Sequence, residues 1–301
     1  MIFEFQKAVK SALPELKIAE NEPLGRHTSF RIGGPARLML FPATAEELSQ
    51  CRKLLFQYGI TPLILGAGSN VLAPDAGLDN VIICLKDNFE KISILPCGCV
   101  EAYAGATLAK TAIAARNAEL TGMEFAHGIP GPVGGAVYMN AGAYGGEICQ
   151  IAESVTVMEK DGTTRDIICD ENTFGYRTSI FENTDMLIVK AVFALQPGNR
   201  EDIQSTMTDL MNRRRASQPL DMPSAGSTFK RPANGYAAAL IDQAGLKGFR
   251  IGDAAVSEKH AGFVVNLGNA SAKDVLLLMD AICEKVKEHS GIDLSPEVRI
   301  W

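Results

Sequence analysis

Apolar residues recur at two different periods along this chain, and the switching between them predicts a mixture of helices and strands. Leu48, Cys51, Leu54, Leu55 and Tyr58 are spaced as one face of a helix. Thr44-Ala-Glu-Glu47 ahead of them reads as a capping box, with Thr44 accepting from the Glu47 N–H while Glu47 reaches back; Gly59 behind them suits a left-handed helix end. Residues 62–65 then read as a short buried strand running into the turn Gly66-Ala-Gly-Ser-Asn70. Residues 81–84, 91–95 and 99–103 predict three strands, the last with period-two alternation, and a second helix is expected from about Thr107 to Glu119, stopping at Gly122.

The pattern then breaks. Residues 122–146 hold eight glycines, where ordinary usage predicts about two. Such a segment is loop-like or lies closely against a ligand. Residues 154–158 and 186–195 read as strands, with a turn at Asp161-Gly162. Pro197-Gly198-Asn199 is the clearest punctuation in the chain, and a domain boundary is expected near 196–200. Beyond it, a polar helix over 201–217, an apolar one over about 236–246, a strand at 263–266 and a capped amphipathic helix from Ser271 to about His289 outline a separate α/β unit. Two domains suit 301 residues at ~150 residues each.

Charge removes several classes of partner. Lys and Arg number 29 against 35 Asp and Glu, a net charge of −6, so no global positive field draws in nucleic acid or anionic lipid. Glu4, Lys7 and Lys10 interrupt the N-terminal apolar residues too often for a signal peptide, so the mature chain is expected to start near residue 1. No apolar run approaches the ~20 residues of a membrane span. Seven scattered cysteines, an odd number, predict reduced thiols and a cytoplasmic setting. Cys97-Gly-Cys99 is their one close pair; with no second pair and no histidine near it, a turn between two strands is the better reading than a metal site.

The glycines carry the first chemical signal. Gly66-x-Gly68 follows a strand, and its backbone N–H groups could turn toward a pyrophosphate or simply make a tight turn. Val71 stands where a nicotinamide Rossmann fingerprint needs its third glycine, which disfavours that fold. The block 128–147, with Asn140 and Tyr144 among its glycines, offers a second such surface, suited to a long, charged, planar ligand or to a glycine-packed crossing of helix and strand.

Six segments in order make the chain recognisable: 24–34, 65–70, 128–147, 174–179, 224–230 and 296–299. Together they resemble the UDP-N-acetylenolpyruvoylglucosamine reductase family over nearly the whole length, in its second structural type, which lacks a tyrosine-bearing insertion. The resemblance implies an α+β protein: an N-terminal helical segment (1–24), an FAD-binding domain of the vanillyl-alcohol-oxidase kind (25–198, subdomains about 25–86 and 87–198) and an α/β substrate domain (199–301). It implies non-covalent FAD, with Gly66, Ala67, Gly68, Ser69 and Asn70 at the pyrophosphate and Ile129, Pro130, Gly131, Gly134, Gly135, Asn140, Gly142, Ala143, Tyr144 and Gly145 flanking the flavin. NADPH would be the co-substrate, and UDP-N-acetylglucosamine enolpyruvate would be reduced to UDP-N-acetylmuramate for peptidoglycan precursor synthesis.

The same resemblance assigns the chemistry. Arg177 corresponds to the residue that holds the enolpyruvyl carboxylate, Ser227 to the proton donor, and Glu297 to a group that stabilises the enol form or positions Arg177. Hydride from reduced FAD would reach substrate C3, and Ser227 would protonate C2. A serine hydroxyl is so weak an acid that only a carbanion or enolate can take its proton. Tyr176 and Lys230 adjoin these positions and are candidate substrate contacts. Arg215, in the run Arg213-Arg-Arg215, could reach a diphosphate or merely complement a helix C-terminus. His260 reads as structural, since the chemistry asks for no base, and Arg31 has no assigned role. Two other functions fit the same residues less well. An FAD-dependent oxidase of this fold acting on a hydroxy acid or alcohol predicts reoxidation by oxygen; a non-catalytic binding module would tolerate loss of Arg177, Ser227 and Glu297, all of which are present.

Overall fold

The computed structural model describes residues 2–301, which divide into two compact units that are not contiguous in sequence. One contains the chain up to Glu20, Leu38–Ala67 and Asn80–Asn212; the other contains Asn21–Arg37, Gly68–Asp79 and Arg213–Trp301. Packing therefore partitions the chain differently from a single cut at 198.

In the first unit, helix α1 (Ile2–Ala12) precedes α2 (Ala45–Gln57). Thr44 accepts from the Glu47 N–H at 3.1 Å as the capping pattern requires, but the Glu47 carboxylate reaches the Ala43 N–H, at 2.7 Å, one residue beyond the expected reciprocal bond. Leu48, Cys51 and Leu55 form the buried face, and Gly59 takes φ 64° at the end. A four-stranded sheet runs in the order Lys17–Pro23, Pro35–Phe41, Leu78–Cys84, Leu63–Leu65. Its last two strands are parallel, with Leu63 opposite Ile82. A parallel pair needs a crossover instead of a hairpin, and the crossover over 66–77 carries the Gly66–Asn70 motif.

A five-stranded antiparallel sheet follows, ordered Thr164–Ile168, Ala152–Met158, Leu187–Ala194, Cys99–Tyr103, Ile92–Ile94. Its central strand is the most apolar, and the one charge there, Lys190, is held by Glu101 at 2.6 Å, which raises the lysine pKa. Cys97 and Gly98 form the turn into Cys99–Tyr103, with Gly98 at φ 80°. Helices α3 (Leu108–Asn117) and α4 (Val133–Tyr138) pack on this sheet. The first turns of α5 (Arg200–Ser217) join the same core through Ile203 and Met207.

The second unit is a four-stranded antiparallel sheet, ordered Ser224–Ser227, Phe263–Asn266, Ala254–Val256, Arg250–Ile251, with α6 (Ala237–Gln243) and α7 (Ala272–Ser290). Helix α6 is shorter than its apolar pattern predicts because Gly245, at φ 70°, turns the chain away. Helix α7 has the reciprocal Ser271–Asp274 capping box and ends at Gly291, φ 73°. Its Val275, Leu278, Met279, Ile282 and Val286 recur at helical spacing and are all buried. Phe30, Ile32 and Leu72 complete this core. Asn266 Nδ2 donates to the Phe30 carbonyl (3.0 Å), and the Asp75 carboxylate accepts from the Ala272 and Lys273 N–H groups (2.7 and 3.1 Å). Those contacts are why 21–37 and 68–79 pack with the C-terminal third. Among the described residues, no helix is long and apolar enough to cross a membrane.

Candidate active site

The glycine-rich block of the first unit resolves into glycines of two kinds. At Gly134 an added Cβ would lie 2.9 Å from the Ala104 Cβ, and the Gly134 N–H donates to the Ala104 carbonyl (2.9 Å). At Gly142 it would lie 2.7 Å from the Gly146 carbonyl oxygen, and at Gly66 2.5 Å from Pro132 Cγ. These three let backbone approach the protein's own chain. Gly145 differs: φ is 87°, nothing lies within 4 Å of the Cβ position, and its neighbour Tyr144 is exposed at φ 55°. Pro130 and Gly135 are exposed too, whereas Ile129 packs against the core.

Asn140 is 2% exposed and sits in the left-handed region, φ 44°. Its Nδ2 donates to Glu147 (3.1 Å) and to the Gly175 carbonyl (3.0 Å), and its Oδ1 accepts from the Cys149 N–H (2.9 Å). The side chain thus holds the loop together from inside. Arg177, also left-handed at φ 55°, donates to the carbonyls of Asn140 (3.5 Å) and Gly142 (3.3 Å). The exposed Tyr176 ring lies 5.7 Å from its guanidinium carbon. The two carbonyls orient the guanidinium, whose forked donors match the geometry of a carboxylate.

In the second unit, Ser227 lies at a β-bulge. Ser224 pairs with Val265 and Ser227 with Phe263, so Ala225 and Gly226 face Val264 alone. Gly226 takes φ 75° with nothing within 4 Å of its Cβ position, and Ser227 is turned out to solvent. Thr228 is buried: its N–H donates to the Gly262 carbonyl (2.8 Å) and its Oγ1 accepts from the Val264 N–H (3.0 Å). The Thr228 carbonyl accepts from the Glu297 N–H (2.8 Å), so Glu297 is brought beside Ser227 although 70 positions separate them in the chain. Asn70 Nδ2 donates to the Glu297 carbonyl (3.1 Å), and the Asn70 carbonyl accepts from the Arg299 N–H (2.9 Å). Lys230 is tied through its N–H to the Ser295 carbonyl (2.8 Å).

The arginine run resolves unexpectedly, with Arg214 buried and Arg213 and Arg215 exposed. Helical spacing from Ile203 and Met207 points to position 214, which is the signal in the sequence for that burial. His260 is structural as expected: its Nδ1 accepts from the Gly262 N–H (3.2 Å), it meets Phe263 edge to face at 5.0 Å, and burial pushes its pKa down. The ties of Asn70 to Glu297 and of Asn140 to Glu147 carry no local signal in the sequence.

A flavin dinucleotide needs donors for two phosphates. Among the described residues, no backbone carbonyl takes the N–H groups of Gly66, Ala67 or Gly68, and Gly68 turns at φ 59°, a conformation that gathers successive N–H groups into an anion-binding hollow. With the open backbone at Gly145, these residues fit FAD. Residues 36–167 match the FAD binding domain family, and 218–301 match the UDP-N-acetylenolpyruvoylglucosamine reductase C-terminal domain family. The fold and site define an FAD-dependent oxidoreductase. UDP-N-acetylenolpyruvoylglucosamine reductases from Pseudothermotoga lettingae and Lachnoclostridium phytofermentans are 47% and 45% identical, over 95% and 97% of this chain and 98% and 95% of theirs. The crystal structure of UDP-N-acetylenolpyruvylglucosamine reductase from Thermus caldophilus matches with TM-score 0.80 and 34% identity, over 95% of this chain and 99% of that one. An alkyldihydroxyacetonephosphate synthase matches over 64% of this chain and 40% of its own with TM-score 0.50 and 15% identity, a likeness of fold alone. The chain belongs to the UDP-N-acetylenolpyruvoylglucosamine reductase family.

Proposed function

We propose that this protein reduces UDP-N-acetylglucosamine enolpyruvate to UDP-N-acetylmuramate, with NADPH as the electron source, in the cytoplasm. The observation that carries the reading is the exposed Ser227, set out by a bulge and flanked by the segment that carries Glu297. FAD, when bound, supplies the two-electron chemistry. Arg177 takes the enolpyruvyl carboxylate, its guanidinium pre-oriented on two carbonyls, and stabilises negative charge that grows there as the vinyl group is reduced. Ser227 delivers a proton to C2, the carbon adjacent to that carboxylate. Glu297 stabilises the enol form or positions the substrate for that transfer. Gly66–Asn70 hold the pyrophosphate of the cofactor, and the exposed backbone at Tyr144 and Gly145 borders the flavin.

Anaerobic stopped-flow measurements on Ser227→Ala test the assignment. Flavin reduction by NADPH should keep its wild-type rate, while reoxidation by the enolpyruvyl sugar nucleotide falls by about 10²–10⁴, the usual worth of a positioned proton donor. Equal loss in both half-reactions refutes the role of Ser227. Rapid reoxidation of the wild-type flavin by oxygen, with none by the enolpyruvyl compound, would instead identify an oxidase.

A further inference from the structure

Ser29 stands between two carbonyls that belong to different parts of the site, all within the second unit. Its Oγ donates to the Ser224 carbonyl (2.6 Å) and lies 3.3 Å from the Gly68 carbonyl, which accepts from the Ser29 N–H (3.1 Å). A hydroxyl has a single proton, and the short contact takes it, so the side chain serves Ser224 and the backbone serves Gly68. Ser224–Ser227 is the edge strand of its sheet. The Pro223 carbonyl accepts from the Asn266 N–H on the neighbouring strand (2.9 Å). Successive carbonyls of an extended chain face opposite ways, so that of Ser224 faces the free edge, where Ser29 meets it. The bulge at Ala225 and Gly226 begins at the next residue. Ser29 itself is firmly held: Thr28 Oγ1 donates to the Ile32 carbonyl (2.9 Å), and Gly68 lies so close that an added Cβ would stand 2.2 Å from the His27 carbonyl oxygen.

We propose that Ser29 is a positioning residue for Ser227: its hydroxyl fastens the start of the bulge to the cofactor-phosphate loop at Gly68, so that proton donor and cofactor keep one spacing. The proposal rests on the function above. That reaction delivers hydride and proton to adjacent carbons of one vinyl group, and a misplacement of about 1 Å in such a constellation can cost about 10²-fold in rate. The bulge alone does not fix Ser227. Gly226, at φ 75°, has nothing within 4 Å of its Cβ position, and two residues there face one on the partner strand, so the ladder does not hold them. The hydroxyl of Ser29 supplies the missing restraint from the edge side, at the last regular position before the bulge. Its loss would release the Ser224 carbonyl and leave the Ser29 N–H on Gly68 in place, so the phosphate loop keeps its own anchor.

The test follows both half-reactions of the FAD-loaded protein by anaerobic stopped flow. Ser29→Ala should slow flavin reoxidation by the enolpyruvyl sugar nucleotide about 10–100-fold, with flavin reduction by NADPH unchanged. Ser29→Thr, which keeps a hydroxyl, should recover most of the lost rate. In a Ser227→Ala background, Ser29→Ala should add no more than about a twofold further loss, because a residue that acts through Ser227 has nothing left to position. Two readouts do not depend on turnover. Amide hydrogen exchange over 224–228 should quicken in Ser29→Ala and return toward wild type in Ser29→Thr. FAD titrated into the stripped protein should bind Ser29→Ala within about threefold of wild type, since the backbone tie to Gly68 survives. Wild-type reoxidation in Ser29→Ala would overturn the proposal and leave the function standing. So would equal slowing of the NADPH step, or a full further loss on top of Ser227→Ala. Weakened FAD binding with normal reoxidation of the loaded fraction would assign the hydroxyl to the phosphate loop instead. Absence of wild-type turnover with the enolpyruvyl compound would refute the function itself.

Discussion

The glycine-rich block of the first unit and the bulged strand of the second both contain glycines that the sequence marks as candidates, yet they use them in opposite ways. Gly134 and Gly142 are glycines because another part of the chain occupies the Cβ position. Gly226 is open on that side and is required by its backbone angle, φ 75°, which turns Ser227 outward. Polar residues divide likewise. Asn140 is buried with its amide committed to partners in the protein itself, while Ser227 is exposed. A dense run of glycines thus signals close approach of backbone to something, and only the structure says whether that something is the protein itself. A functional group is better marked by a strained backbone that points it outward.

Asn140→Ala puts the largest strain on this comparison. It strips partners from the Glu147 carboxylate, the Gly175 carbonyl and the Cys149 N–H in a site that is 2% exposed. A loss of about 2–4 kcal/mol in denaturant unfolding is expected. A loss near zero would mean that the loop is not held from within. Next come two glycine replacements measured side by side. Gly134→Ala forces a methyl against Ala104 and should cost about 1–3 kcal/mol and weaken FAD retention. Gly226→Ala meets no atom, so only the left-handed backbone opposes it, at about 1–2 kcal/mol. Its larger effect should fall on the substrate half-reaction, because Ser227 moves. If the kinetic defects are reversed between the two variants, the contrast fails.

Asn70→Ala is expected to cost about 1 kcal/mol through the lost bond to the Glu297 carbonyl. Slower flavin reoxidation by substrate with unchanged FAD affinity would show that its side chain serves the Glu297 segment; weaker FAD binding alone would return it to the cofactor. The smallest effect concerns pH. Burial holds His127 in the first unit and His260 in the second below the ordinary histidine pKa. The unfolded chain therefore takes up protons first as pH falls through about 6.5, and stability declines from there until the folded histidines also protonate. His260→Gln and His127→Gln should each flatten part of that decline in unfolding free energy measured between pH 7.5 and 5. A variant with the wild-type slope would show that its histidine is not protected by burial.

Much of the local structure was legible. The Thr44 cap, the Ser271–Asp274 box, the Gly59 and Gly98 turns and the strand alternation at 99–103 depend on residues within a few positions of one another, and short-range rules read them. Helix α6 fell short because Gly245 outweighs the apolar pattern that continues to Leu246. The site was legible only through its resemblance to a family. Ser227 in Ser-Ala-Gly-Ser and Glu297 in Pro-Glu-Val-Arg carry no spacing rule that joins them, and the link through Thr228 arises from pairing between distant segments.

The amino-acid sequence by itself determined the elements, the exclusion of a global basic surface and, through six ordered motifs, the family and its flavin chemistry. Periodicity, capping and composition act over short range or over the whole chain, so they survive without coordinates. Tertiary structure decided the rest: that 21–37 and 68–79 pack with the C-terminal third, that Asn140 and Gly134 serve the chain itself, that Arg214 and not Arg215 is buried, and that Asn70 holds the backbone at Glu297. Each of these depends on which distant backbone groups find one another, and buried polar groups must all be paired whatever their distance along the chain.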